Sequence, residues 1–355
     1  LGQFEEAAST LAQARATWPA PSPTTRLALD LTAARIDDEA GRPEAAEQQY
    51  RAVLAAAQAI DPATLKSSVD LRKTIEIARS NLSGVLRDRG ALDEAEQLTR
   101  QVLDGRIEEL GERAPLTLAS RNKLALVLAA RGDTVQAEKE AAEALRLQRE
   151  VLGNQHDSTL TTMQTLANIL MARKQYDEAE ALTRESLRGM EAQFGEDYAQ
   201  TLASMNTLAY LLEERGKVDE AEAAYRRIIA IQTRGGVVHP TTLAPRNNLA
   251  MLLMNAGRYE AARAEFSALM KHARATVGND HAMTAIFMSN EGWCLSRMGR
   301  TAEARVELEE AHQRLLDIFG AEHARTKAAA ERLAEVHRKL GEHAKAEALL
   351  ATPRA

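Results

Sequence analysis

The sequence is poor in cysteine, proline and aromatic residues, and these shortages exclude several classes of protein. Its 355 residues include one cysteine, Cys294. No disulfide can therefore form within the chain, and a thiolate metal site is not expected. We expect Cys294 to be a small buried apolar residue. No run of about 18 apolar residues occurs, so the sequence predicts no transmembrane helix.

The charge balance and the common residue types indicate a soluble helical protein. The 45 Lys and Arg residues face 51 Asp and Glu residues, which gives a net charge of −6. A nucleic-acid-binding protein needs a basic excess to neutralise phosphates, so we expect no nucleic-acid partner. Ala, Leu, Glu and Arg dominate the sequence. These residues favour helices, and the predicted fold class is all-α.

A turn pattern, Gly-x-x-x-x-Ala, recurs along the whole chain. Glycine ends a helix in the left-handed conformation, and the alanine lets a second helix approach closely. Leucines at spacings of three and four precede each turn, which is typical of one apolar helix face. Six of the eight intervals between turns are 41 or 42 residues. The turn positions are Gly2, Gly41, Gly90, Gly132, Lys174 (in place of glycine), Gly216, Gly257, Gly299 and Gly341.

These turns predict a stack of helical hairpins that bury a continuous core between neighbours. We count about eight hairpins after an N-terminal half-repeat. Residues 71–355 form the regular array, whereas residues 1–70 are irregular. In the irregular part, Pro19, Pro21 and Pro23 mark a unit boundary and Pro62 lies in a longer inter-unit loop. The chain begins inside a repeat and without Met, so we expect a segment of a longer protein.

Features of the repeat resemble those of a known family. A hairpin with Leu-Ala in its first helix (helix A) and Ala after the turn, before the second helix (helix B), resembles the tetratricopeptide repeat. The 42-residue period, the loop Leu152–Leu160 and the run Asn247-Asn248-Leu249-Ala250 resemble the kinesin light chain subtype. This resemblance implies a right-handed α-solenoid whose helices A line a concave groove. The layout also resembles the C-terminal region of bacterial serine/threonine protein kinases.

The resemblance places two sets of side chains on the groove face of helix A. One set, ten residues before each turn, offers mostly amide donors and acceptors to an extended peptide. The second set, one helical turn later, includes aromatic and Met anchors. The first set is Ser80, Asn122, Gln164, Asn206, Asn247 and Ser289; the second is Leu126, Asn168, Tyr210, Met251 and Trp293. Charged residues further along make the groove acidic in its middle and basic towards the C-terminus.

The predicted function is a non-catalytic scaffold that binds a protein or peptide partner in this groove, as a recruitment segment of a larger bacterial signalling protein such as a kinase. One alternative leaves the amides a purely structural role, bonding each helix A to its neighbour. A small-ligand sensor is a second alternative. A third is self-association, for example through an apolar N-terminal edge containing Phe4 and Leu11.

No motif of an enzyme, a cofactor site or a metal centre occurs in the chain. His156, His239, His281 and His323 recur once per unit, too far apart to share an ion, and we expect them to close inter-unit loops. His337 flanks a turn with no carboxylate–His pattern around it. We therefore expect no cofactor, no metal and no membrane contact by this segment. The expected compartment is the cytoplasm, or the periplasm if a membrane span precedes the segment.

Overall fold

The computed structural model describes residues 2–17, 21–234 and 240–351. Pro19 and His239 lie outside the described residues. Contacts divide the chain into two compact units, Leu1–Leu182 and Thr183–Ala355. The sequence-based division at residue 70 rests on the regularity of the repeat and stays a prediction.

Helices and short connections make up the described residues, and no strand occurs among them. The helices are α1 (Gly2–Thr17), α2 (Pro23–Glu39), α3 (Pro43–Gln58), α4 (Pro62–Ser67), α5 (Val69–Asp88), α6 (Leu92–Leu110), α7 (Pro115–Arg131), α8 (Thr134–Val151), α9 (Asp157–Ala172), α10 (Tyr176–Phe194), α11 (Ala199–Glu214), α12 (Val218–Gln232), α13 (Leu243–Asn255), α14 (Tyr259–Thr276), α15 (Ala282–Arg297), α16 (Thr301–Phe319), α17 (Ala324–Lys339) and α18 (His343–Leu350). A single 3₁₀ turn, Pro240–Thr242, precedes α13.

The predicted hairpins are present at the predicted turns. Helices α2/α3, α5/α6 and each following pair form eight hairpins in the described residues, and α1 is the half-repeat before them. The turn glycines from Gly41 onwards have φ between 70° and 88°, and Lys174 has φ 61°. Residues with a Cβ atom rarely adopt this backbone conformation. The positive φ of Lys174 therefore confirms that the turn geometry persists where glycine is missing.

Small residues bring the two helices of each hairpin together. Every alanine five residues after a turn position from 41 onwards is 0% exposed: Ala46, Ala95, Ala137, Ala179, Ala221, Ala262, Ala304 and Ala346. On the facing helix, a Cβ built on Gly292 would lie 2.8 Å from Leu308 Cγ, closer than real Cβ atoms approach. The close approach of α15 and α16 therefore requires a residue without a side chain at position 292.

The segment around Pro62 corrects one expectation. The sequence predicted an extended loop there, whereas the structure has the short helix α4. Asp61 caps this helix, since its Oδ2 accepts a hydrogen bond of 2.9 Å from the Thr64 backbone N–H. Proline suits the first turn of a helix because the N–H it lacks would have no helical acceptor there. The prediction of a loop was wrong because it treated Pro62 as a breaker and not as a helix start.

Candidate functional site

In the unit Thr183–Ala355, the predicted groove residues lie on successive helices A. Asn206, Asn247 and Ser289 stand on α11, α13 and α15, and one turn later on the same three helices come Tyr210, Met251 and Trp293. We call these six residues the helix-A strip. Asn206, Asn247, Met251 and Trp293 are half-buried, Ser289 is buried, and Tyr210 is 47% exposed.

Hydrogen bonds connect the amides of the helix-A strip to the next helix A. Asn248 Nδ2 donates to Asn206 Oδ1 at 3.4 Å, and Asn290 Nδ2 donates to Asn247 Oδ1 at 2.7 Å. Arg332 on α17 then donates to Ser289 Oγ at 3.0 Å and to Asn290 Oδ1 at 2.8 Å. The amides therefore do bond neighbouring repeats together, which is the structural role considered from the sequence.

The donors of these bonds are functional residues that the sequence reasoning missed. Asn248 directly follows the predicted Asn247, and Asn290 directly follows the predicted Ser289. The paired Asn247-Asn248 was visible in the sequence and could have indicated that one amide faces the preceding helix. In the unit Leu1–Leu182, Lys123 takes the same position and its Nζ donates to Ser80 Oγ at 2.7 Å.

The amide nitrogens of Asn206 and Asn247 are not used in this ladder. Within the described residues, neither Nδ2 has a hydrogen-bond acceptor, while both Oδ1 atoms accept from the following helix. Asn290 Oδ1 accepts from Arg332, so Asn290 must present its Nδ2 to Asn247, which fixes the orientation of both amides. The strip therefore offers two unused N–H₂ donors.

Two cations lie close to the ring of Trp293. The Arg297 guanidinium lies 5.9 Å from its ring centroid and Lys339 Nζ lies 5.8 Å from it. Lys339 Nζ also donates to Ser296 Oγ at 3.0 Å and pairs with Glu335 at 3.0 Å. Contacts of this kind hold a cation over the negative face of an aromatic ring. They place Trp293 in a basic part of the strip.

Acidic residues lie at the other end of the strip, on α11. Glu213 is half-buried and Glu214 is exposed. Burial raises the pKa of the Glu213 carboxyl, and the neighbouring Glu214 raises it further, whereas a hydrogen bond from Asn255 lowers it. Within this unit, the acids therefore stand on α11 and the cations on α15 and α17, while the charge gradient along a groove stays a prediction.

The groove residues predicted in the unit Leu1–Leu182 are less exposed on the whole. Asn122 is 8% exposed, and its Oδ1 has no hydrogen-bond partner among the described residues. Gln164 is half-buried and Asn168 is exposed, both on α9. Asn122 therefore presents little surface to a partner.

The recurring histidines begin helices A. In His156, His281 and His323 the ring Nδ1 accepts from the backbone N–H two residues later, at 3.1, 3.1 and 3.2 Å. The loop-closing role expected for these residues is thereby confirmed, while His239 lies outside the described residues. Among the described residues, no group of three His, Cys, Asp or Glu side chains could hold a metal ion.

His337 corrects another expectation from the sequence. This residue is 3% exposed, and its Nδ1 lies 2.6 Å from Glu342 Oε2 across the last turn. The interaction with His337 lowers the pKa of the Glu342 carboxyl, with Lys345 contributing less. The sequence showed no carboxylate–His pattern because the partner follows five residues later, across a turn and not along a helix.

A ladder of ion pairs near the turns connects neighbouring repeats, and the sequence reasoning missed it. Arg258 Nη1 donates to Glu222 Oε2 at 2.6 Å, and Arg131 pairs with Glu96 in the same way. Glu96 and Glu222 are only 7% and 8% exposed. The recurrence of Arg next to the turn could have indicated the partners of these acids.

The geometry of stacked hairpins can now be compared with known families. The family model for the tetratricopeptide repeat matches residues 74–150, 119–171, 160–234 and 241–317, more than half of the chain. The chain belongs to the tetratricopeptide repeat family. The tetratricopeptide fold is typically non-catalytic. No curated protein matches the chain. Among the described residues, no helix is both long and apolar enough to cross a membrane.

Solved tetratricopeptide structures resemble this chain. Kinesin-light-chain TPR-like repeats from Podosopora anserina are 25% identical, with a TM-score of 0.53 over 56% of this chain and 94% of that one. BtubC from P. vanneervenii is 22% identical, with a TM-score of 0.57 over 66% and 91%. The quorum sensor NprR from B. thuringiensis is 13% identical, with a TM-score of 0.68 over 98% and 96%. The last two likenesses show the fold alone.

Proposed function

We propose that the helix-A strip binds an extended segment of a partner protein or peptide. The unused Nδ2 donors of Asn206 and Asn247 carry this proposal, because they stand on adjacent helices A in a half-exposed position. An extended peptide presents carbonyl acceptors at regular intervals along its backbone. A row of fixed amide donors suits that pattern better than it suits a compact substrate.

The aromatic residues supply the second element of such a site. Tyr210 is half-exposed on the strip, and Trp293 is held by Arg297 and Lys339. Large aromatic side chains are frequent anchors in binding interfaces, because they bury much apolar area at little entropic cost. In this proposal the anchors take apolar side chains of the partner while the amides hold its backbone.

Two structural relatives support a peptide or protein partner. NprR is described as a quorum sensor. A Rap protein complexed with Competence and Sporulation Factor is 14% identical, with a TM-score of 0.57 over 96% of this chain and 95% of that one. The Rap protein thus carries a bound factor on an array of similar fold. In the present chain, the residues of the helix-A strip are the basis for proposing a peptide-binding site.

We also propose that this chain is a recruitment segment of a larger bacterial signalling protein, such as a serine/threonine kinase, in the cytoplasm. Support comes from the resemblance of layout: irregular leading units are followed by regular repeats of 42 residues. An upstream catalytic domain would then supply activity that this segment does not provide. Mass spectrometry of the protein isolated from its source cells tests this by showing whether peptides of a kinase domain belong to the same chain.

The test of the strip is partner capture with substitutions that separate binding from stacking. Asn206→Asp with Asn247→Asp keeps the Oδ acceptors that hold the next helix and removes both Nδ2 donors. We expect this double variant, and Tyr210→Ala with Trp293→Ala, to lose a protein captured from the source lysate by wild type. Tyr198→Ala is the matched control, because Tyr198 is 40% exposed but lies outside the strip.

The segment of the captured protein that binds the strip is then synthesised as a peptide. Calorimetry measures the affinity of this peptide for each variant. Loss of two hydrogen bonds predicts an affinity at least about tenfold weaker for the aspartate double variant. The melting temperatures of all variants must stay near that of wild type if the loss of affinity is to be attributed to the strip and not to unfolding. Equal affinity of the wild type and both double variants would rule out the strip as the binding site.

A further inference from the structure

A cavity in the unit Leu1–Leu182 has a chemical character of its own. It measures about 250 Å³ and is bordered by residues of three successive helices A, which are α2, α5 and α7. Its lining brings acids, bases and apolar residues together, including Asp38, Ser80, Gly84, Arg87, Lys123 and Leu126. The residues that line it differ from the helix-A strip of Thr183–Ala355.

Asp38 is a carboxylate without a cation in this cavity. Its Oδ2 accepts from the Tyr50 hydroxyl at 3.2 Å, and that hydroxyl accepts from Asn81 Nδ2 at 3.3 Å. Within the described residues, no Lys, Arg or His forms an ion pair with Asp38. Burial raises the pKa of the Asp38 carboxyl, with smaller contributions from Asp88 and Glu39. The hydrogen bond from Tyr50 lowers this pKa, and so does the more distant positive charge of Lys123.

Lys123 is a cation without a carboxylate in the same cavity. Its Nζ donates to Ser80 Oγ at 2.7 Å, and no acid in the described part of the chain pairs with it. Lys123 is an exposed residue, but partial desolvation lowers the pKa of its ammonium, and the positive charges of Arg106 and Arg87 lower it further. The negative charge of Asp38 raises this pKa, although the two groups form no ion pair. Arg87 and Asp88 satisfy one another at 2.6 Å, so they leave Asp38 and Lys123 as the unpaired charges.

Gly84 keeps part of this cavity open. It lies inside α5, where glycine destabilises a helix relative to alanine. A Cβ added to Gly84 would meet no atom within 4 Å. Close packing therefore does not require glycine at this position, in contrast to Gly292 against Leu308. The lack of a side chain leaves free volume next to the two unpaired charges.

We propose that this cavity binds a free α-amino acid as a zwitterion, with its ammonium group on Asp38 and its carboxylate on Lys123 and Ser80. Asp38 and Lys123 line one cavity but form no ion pair with each other, so a ligand that carries both charges would pair each of them. Leu126 and Val127 provide an apolar wall for the ligand side chain. This site is separate from the helix-A strip and does not depend on the proposed partner groove.

Calorimetric titration of the whole chain with the standard free L-amino acids tests the proposal. We expect saturable binding of at least one of them. Its N-acetyl derivative and its amide should each bind at least about tenfold more weakly, because each lacks one charge. A dipeptide that binds more tightly than the free amino acid would overturn the assignment, since the cavity would then take a peptide end.

Substitutions assign each charge to its partner. Asp38→Asn should abolish the preference for the free over the N-acetylated amino acid, and Lys123→Gln should abolish the preference for the carboxylate over the amide. The matched controls Asp104→Asn and Lys139→Gln, both exposed and away from the cavity, should bind like wild type.

Gly84→Leu gives a variant that blocks the cavity without weakening the helix. It should lose amino-acid binding while its melting temperature equals or exceeds that of wild type, because leucine favours the helix more than glycine does. Absence of saturable binding by wild type for every amino acid, or unchanged binding in folded Gly84→Leu, would overturn the proposal.

Discussion

Asn290 Nδ2 donates to Asn247 Oδ1 at 2.7 Å, although 43 positions separate the two residues in the chain. The bond connects helix A of one repeat, α13, to helix A of the next, α15. Asn247 thus holds its neighbour through one atom of its amide and leaves the other atom unused. A single side chain serves repeat stacking and is available to a partner.

This division of the amide predicts different effects for two substitutions of Asn247. Asn247→Ala leaves Asn290 Nδ2 without its acceptor and should lower the free energy of unfolding by about 1–3 kcal/mol. Asn247→Asp keeps the acceptor oxygen and should lower the free energy of unfolding by less. Urea unfolding followed by circular dichroism measures both values. Equal losses for the two variants would show that the bond to Asn290 does not contribute to stability.

The turn ladder predicts a coupling between Glu222 and Arg258. Glu222 is nearly buried, and its Oε2 lies 2.6 Å from Arg258 Nη1, which is partly exposed. A double-mutant cycle with Glu222→Gln and Arg258→Met should give a coupling free energy of about 0.5–1 kcal/mol, because solvent screens the exposed partner. Added salt should reduce it. Additive effects of the two substitutions would contradict a stabilising pair.

Gly84 and Gly292, which both lie inside helices, predict opposite changes in stability. A Cβ at Gly292 would clash with Leu308, so Gly292→Ala should destabilise the chain by about 1–3 kcal/mol. Gly84 has open space instead, so Gly84→Ala should stabilise the chain by about 0.5–1 kcal/mol. Thermal unfolding of the two variants in parallel provides the comparison. A stabilised Gly292→Ala variant would show that α15 and α16 can separate freely.

Two half-buried glutamates predict a specific dependence of stability on pH. Burial raises the pKa of Glu291 and of Glu307. The Glu307 carboxylate raises the pKa of Glu291 further, and the Glu310 carboxylate raises that of Glu307. Between the ordinary glutamate pKa and this raised value, the folded chain binds more protons than the unfolded chain. The pair therefore lowers stability as pH rises through that window.

Glu291→Gln and Glu307→Gln should remove this loss. We expect both variants to melt at a higher temperature than wild type at neutral pH, and the difference to shrink as the pH falls below the ordinary glutamate range. Asp317→Asn, at an exposed position of α16, is the control. A constant difference between variant and wild type across pH would contradict the raised pKa values.

Leu208 tests the helix register inferred from the turn spacing. This residue is 6% exposed in the core of α11. Leu208→Asp places a carboxylate in that core and should unfold the unit or cost more than about 3 kcal/mol, whereas Leu208→Met should cost less than about 1.5 kcal/mol. Circular dichroism and thermal melting separate the two outcomes. Wild-type melting of Leu208→Asp would mean that the register is wrong.

The local sequence determined the hairpins, because each of their signals acts within a few residues. Gly41 and its equivalents force a left-handed turn, and Ala221 and its equivalents lie where the second helix must come close. The register of the leucines before each turn set the buried face. The same local logic placed His156 in the loop between two units, although it mistook the capped helix at Pro62 for a loop.

The tertiary structure alone decided which polar side chains meet across repeats. Asn290 meets Asn247, and Arg258 meets Glu222, at separations of 43 and 36 positions. These contacts depend on how one hairpin rotates against the next, and the packing of many side chains sets that rotation. The cavity with Asp38 and Lys123 arises in the same way, from helices of three different hairpins. Periodicity fixes the position of a residue on its own helix, but only the packed stack determines its neighbour on the next.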